Sequence, residues 1–126
     1  MTGVERAAAL ALAVGRLAIG AGIWAAPRTT MRVLGLEQPG ADGLAVARIA
    51  GTRDLILGSW QLRAVGDRER LRRATWAAAA CDAGDALTFA LLLRGGRARP
   101  GLRGVAAAAP AAALGLWLAS RLSADQ

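Results

Sequence analysis

Ala7-Ala8-Ala9-Leu10-Ala11-Leu12-Ala13-Val14-Gly15-Arg16-Leu17-Ala18-Ile19-Gly20-Ala21-Gly22-Ile23-Trp24-Ala25-Ala26 is apolar on every side except at Arg16. At 1.5 Å per residue, a helix of roughly 20 residues covers the ~30 Å hydrocarbon core of a bilayer. A surface helix of a soluble bundle needs a polar face, and this stretch has none. Pro27 follows it. A cleavable signal peptide fits poorly, because Glu5 cancels Arg6 at the start and Ala25-Ala26 run straight into Pro27. The stretch reads as an uncleaved membrane helix.

At the far end of the chain, 104–120 is again apolar all round and uncharged, with Pro110 placed to kink it. Two further spans lie between. The first, 44–64, is the least hydrophobic and holds Arg48, Thr52, Arg53, Asp54, Ser59 and Gln61. A charge in mid-helix costs about 2.5–3.5 kcal/mol on insertion scales, so this span inserts only with its polar side against other helices. The second, 74–93, carries Asp82 and Asp85. The expected fold is therefore all-α, a single domain built as a four-transmembrane-helix bundle over 7–26, 44–64, 74–93 and 104–120. The connections are 28–43, with a short interfacial helical turn at 31–36 and punctuation at Gln38-Pro39-Gly40, and two charged loops, 66–73 and 94–103.

Composition agrees. The 126 residues are 55% hydrophobic and 20% charged, and the charge sits mostly between the apolar runs. The formal charge of +7 comes entirely from arginine as the basic residue, and those arginines flank apolar spans. That placement points to a lipid surface rather than nucleic acid, for which no motif or row of stacking aromatics is present. Cys81 is the only cysteine and histidine is absent, which removes intrachain disulfides and the usual zinc, haem and Cys–His or Ser–His arrangements. No cofactor and no metal site is expected. The localisation expected is the inner (cytoplasmic) membrane. Arginine gives little orientation, seven on one side against six on the other. Trp60, Trp76 and Trp117 would share one interface and Trp24 the other, which leans to N-terminus and C-terminus inside; an antiparallel dual topology stays open.

The informative feature is depth. Arg16, the Arg53-Asp54 pair and Asp82 with Asp85 all fall near the middle of their spans, and Arg48 lies about 9 Å from the centre of the second. Three Arg and three Asp make a neutral set, and mutual pairing is the ordinary solution for intramembrane charge. Ala47, Gly51, Asp54, Gly58 and Gln61 form one stripe of the second span; Ala78, Cys81, Asp82, Asp85 and Phe89 one stripe of the third; Arg16, Gly20 and Ile23 one stripe of the first. Small residues at this spacing permit close helix approach. Asp82 and Asp85 are neighbours at i and i+3, so they either share a proton or are clamped by arginine. The candidate acid–base residues are Asp54, Asp82 and Asp85, and the candidate ligand-binding residues are Arg16, Arg48, Arg53 and Gln61. One reading makes the charges ion pairs that fix helix register. The other makes them a polar intramembrane pocket.

The run Arg48-Ile49-Ala50-Gly51-Thr52-Arg53-Asp54-Leu55-Ile56-Leu57-Gly58, with its R-x-x-G-x-R-D-x-x-x-G pattern and an Asp pair in the next helix, resembles a group of small four-helix bacterial membrane proteins related to the DoxX-like families. The resemblance implies the four-helix fold and the importance of Arg48, Gly51, Arg53, Asp54 and Gly58, and is nearly silent on activity. Size and charge balance are also similar to the small multidrug-resistance transporters, which use a first-helix glutamate where this chain has Arg16. Asp82-Ala83-Gly84-Asp85 resembles half of a metal-binding motif whose second acidic half is missing here. Three functions stay open: a ligand-binding or accessory membrane protein, an intramembrane acid–base enzyme acting on a lipid or isoprenoid, and a small dimeric transporter. The partners expected are membrane lipids, a hydrophobic small molecule and, for transport, a second copy of the chain.

Overall fold

The computed structural model describes residues 1–36, 39–96 and 98–124. It is all-helical, with α1 (Gly3–Ala25), α2 (Pro27–Val33), α3 (Ala41–Ala64), α4 (Arg68–Arg94) and α5 (Ala98–Ser123). Every long helix outruns the apolar run that predicts it, for local reasons. Thr2 caps α1 and forms a capping box with Glu5: the Glu5 backbone N–H donates to Thr2 Oγ1 at 3.2 Å, and Thr2 N–H donates to the Glu5 carboxylate at 2.7 Å. Asp67 caps α4 by accepting from Arg70 N–H at 3.0 Å, so most of the loop expected at 66–73 is helix. Pro100 falls in the first turn of α5, where its missing N–H has no helical partner to lose, and α5 takes over most of the loop expected at 94–103. What remains is a turn at Gly95–Gly96, with Gly96 at φ +79. Arg97, Glu37 and Gln38, each assigned to a connection from sequence, lie outside the described residues. The helix is continuous through Pro110.

The interfacial turn expected at 31–36 is the end of α2, which starts at Pro27. Gly35, at φ +73, lets Gly35 N–H reach Arg32 O and Leu36 N–H reach Met31 O, closing the helix with both bonds of a Schellman ending. Arg103 of α5 donates to Gly35 O at 3.1 Å and ties this corner to the bundle.

The long helices pack as two intimate pairs, α1 with α3 and α4 with α5, and the pairs meet more sparsely through α3–α4 and α1–α5. The α1–α3 seam is made of glycine. A Cβ on Gly20 would stand 2.7 Å from Gly51 O, and one on Gly58 would stand 2.9 Å from Ala13 O. The small-residue stripes are thus a backbone-to-backbone contact. At the end holding both termini and the 65–67 turn, Ala9, Leu12, Ala64, Leu71, Leu118 and Leu122 form the buried core. Arg68 seals it by donating to Arg121 O at 2.9 Å and Leu122 O at 3.3 Å, carbonyls of the last turn of α5. Among the described residues, the opposite end has no such core.

Among the described residues, three helices, α1, α4 and α5, are long and apolar enough to cross a membrane. At most 33% of the most apolar window of any of them is buried. Leu10, Val14, Ile56, Leu87, Leu91 and Leu116 face outward, an apolar exterior that a protein in water rarely carries at this extent. The fourth long helix, α3, has the length but is set apart by its charges. Whether it also crosses depends on where those charges go.

Candidate functional site

Five of the predicted side chains converge. Arg16 reaches from α1 to α4, where its guanidinium pairs with Asp82 and donates to Ala78 O at 3.4 Å; it also lies 3.6 Å from Asp54 of α3. Arg53 of α3 grips Asp85 of α4 with two parallel hydrogen bonds, 2.9 and 2.6 Å, and lies 3.2 Å from Asp54. The result is one chain of charge, Asp82–Arg16–Asp54–Arg53–Asp85, that spans three helices. Arg16–Asp82 and Arg53–Asp85 cross between the two helix pairs, Arg16–Asp54 runs along the α1–α3 seam and Arg53–Asp54 lies within α3, so the network supplies the specificity that the sparse packing between pairs lacks. Charge assistance strengthens both pairs, bidentate at Arg53–Asp85, which is about a third exposed, and buried at Arg16–Asp82, where Arg16 is only 7% exposed. Of the two alternatives for Asp82 and Asp85, the arginine clamp is what the structure contains: they share one face of α4 but turn to different guanidiniums.

Arg48 and Gln61 are placed elsewhere. Arg48 is five residues before Arg53, about 140° around the helix, and its guanidinium lies 5.8 Å from the centre of the exposed Trp24 ring. Trp24 in turn donates to Thr52 Oγ1 at 3.1 Å. Gln61 is seven residues from Asp54, on the same face of α3 but about 10 Å nearer the 65–67 turn. It is fully buried, and among the described residues neither its amide oxygen nor its nitrogen has a partner. Thr75 stands in the matching position on α4, seven residues from Asp82, likewise fully buried and with no partner for its hydroxyl among the described residues. Nothing in the sequence stripe marks Thr75 except that same seven-residue step. Cys81 is a half-buried free thiol and does not line the site. Among the described residues, no group of three Cys, Asp or Glu side chains is placed to hold a metal ion.

The charge network is also the floor of a cavity of about 300 Å³. One wall is α1, through Ala11, Gly15 and Ile19; the facing wall is α5, through Gly104, Ala107, Ala108 and Ala111. Phe89 and the chain after α2, Leu34 and Leu36, complete it. The space exists because α5 offers only glycine and alanine here: side chains of one carbon or none cannot reach α1 across a sparse contact. Sequence reading placed no candidate site residue on the last span. The available signal was the spacing of its small residues, 104, 107, 108 and 111, which is one helical face. The question left open by the sequence, whether the charges line a cavity or close on one another, has a double answer: they do both.

Compared with known proteins, the chain matches no family model, no curated protein and no solved structure.

Proposed function

We propose that the chain is a four-span protein of the bacterial inner membrane, N-terminus and C-terminus inside, that binds a small lipophilic molecule. The molecule sits between α1 and α5 with its polar group on the charge network and its apolar body against the small-residue walls. The observation that carries this reading is the cavity itself: apolar walls with five charged side chains gathered at its floor. Small-molecule sites have this build, a concave apolar body with a few convergent polar groups, and begin at about 300 Å³. That size suits a short chain or a compact ring system and is too small for a whole phospholipid.

Support for α3 as the fourth span comes from its charges. Arg53 and Asp54, in the middle of this 24-residue helix, are paired toward α1 and α4 rather than left as isolated charges, while Arg48, nearer its start, lies over Trp24. The placement of Trp60, Trp76 and Trp117 toward the end that holds both termini supports the orientation. The run 48–58 supports kinship with the small four-helix DoxX-like proteins.

The test is to fill the cavity. Native mass spectrometry of the chain released from gently extracted membranes should show a bound small molecule on the natural sequence and none on Ala108→Phe, with both chains equally helical. Identical spectra from the two chains would sink the reading.

A further inference from the structure

The charges at the floor of the cavity do not balance. Its lining brings two guanidiniums, Arg16 from α1 and Arg53 from α3, against three carboxylates, Asp54 from α3 and Asp82 and Asp85 from α4. Neither α2 nor α5 adds a charged group to the lining, and Arg48, which would complete a neutral set, lies on another face of α3 over Trp24. Asp82 takes Arg16 and Asp85 takes both terminal nitrogens of Arg53. Asp54 is left with what remains: its Oδ1 is 3.2 Å from Arg53 and 3.6 Å from Arg16, and its Oδ2 has no partner among the described residues. One negative charge is therefore uncompensated beside an apolar chamber, an arrangement that is costly unless a positive charge joins it.

We infer that the occupant supplies that charge: it is a small lipophilic amine, bound as its ammonium against Asp54, with the hydrocarbon part lying along Ala107, Ala108 and Gly15. The inference deepens the ligand-binding reading and rests on it. An ammonium carries only donors, three for a primary amine, and the free oxygen of Asp54 is an acceptor without one. A carboxylate ligand could accept from Arg16 Nε and Arg53 Nε, buried donors without a hydrogen-bond partner among the described residues, but it would take the floor to two uncompensated charges. An alcohol would leave the imbalance as it was. The competitor for the same oxygen is a proton, which neutralises Asp54 without any ligand.

Three probes of equal chain length separate these cases: hexylammonium, hexanol and hexanoate, measured by equilibrium dialysis against the chain in phosphatidylcholine nanodiscs, with empty nanodiscs as the control for partition into lipid. A charge-assisted bond in a dry site predicts that hexylammonium binds about tenfold or more tighter than hexanol, with hexanoate weakest. Asp54→Asn should bring hexylammonium down to the level of hexanol, and Asp54→Glu should keep the preference. Equal binding of ammonium and alcohol by the natural sequence overturns the inference and leaves the cavity reading standing. Absence of binding by all three to a folded chain overturns both. The preference among probes on the natural sequence decides the matter even where a variant does not fold.

Discussion

Arg16 holds the two helix pairs together through Asp82, and it does so with both groups nearly removed from solvent. A buried pair of this kind contributes little compared with apolar residues of the same shape, but removing one partner strands the other, at about 3–5 kcal/mol. The sign of each substitution then follows from the charge count. Arg16→Gln leaves three carboxylates facing Arg53 alone, and should destabilise the chain by that amount in SDS titration of the detergent-solubilised protein. Adding Asp82→Asn to Arg16→Gln restores the original imbalance of one and should recover most of the loss, a coupling that a double-mutant cycle reads directly. Recovery of none of it would mean that the two residues do not act as a pair.

Between α1 and α3 the contact is backbone to backbone, and it depends on the absence of side chains. Gly58 admits no Cβ without moving the Ala13 carbonyl, the Arg16 stem or Leu17, all within 3.1 Å of where that atom would stand. Gly84, on the outer side of α4, has nothing within 4 Å. The same change therefore has opposite signs at the two sites. Gly58→Ala forces the helices apart and should cost about 1–3 kcal/mol. Gly84→Ala gains helix propensity and should add up to about 1 kcal/mol. Thermal unfolding of both variants in one detergent checks the pair, and similar shifts for the two would show that α1 and α3 do not pack through glycine in the membrane. The stripe of Gly51 and Gly58 was legible in the sequence because small residues recur at helical spacing. Its partner stripe on α1, Arg16, Gly20 and Ile23, was legible in the same way, and a Cβ on Gly51 would meet Ile23 at 2.9 Å and Gly20 O at 3.3 Å.

For the molecule as a whole, the arrangement of crossings turns on α3. If α3 crosses, Thr2 and Gly66 lie on one side of the membrane and Gly96 on the other, whichever way the protein inserts. If α3 rests on the surface, Thr2 and Gly66 lie on opposite sides. Single cysteines at these three positions in a Cys81→Ala background, labelled on intact cells with an impermeant maleimide, distinguish the cases. Four spans with both termini inside predict labelling at 96 only. The ion pairs of Arg53 and Asp54 are what make the crossing affordable, so Asp85→Ala, which releases Arg53, should weaken this pattern before it unfolds α1.

The sequence by itself determined the helical class, the apolar character of the first and last long helices, and the position of Arg16, Arg53, Asp54, Asp82 and Asp85 near the middle of their helices. Those follow from composition and from a rise of 1.5 Å per residue, which are properties of the chain alone. It also showed the glycine stripe of α3. Only the tertiary structure decided which charges pair, that Arg48 turns away to Trp24, that Gln61 and Thr75 are buried without partners among the described residues, and that α5 walls a cavity. Pairing and void depend on the rotation of each helix about its axis and on the sparse contact between the two pairs. A periodic pattern gives the faces of a helix, but which face meets which neighbour is settled only when all the helices are packed at once.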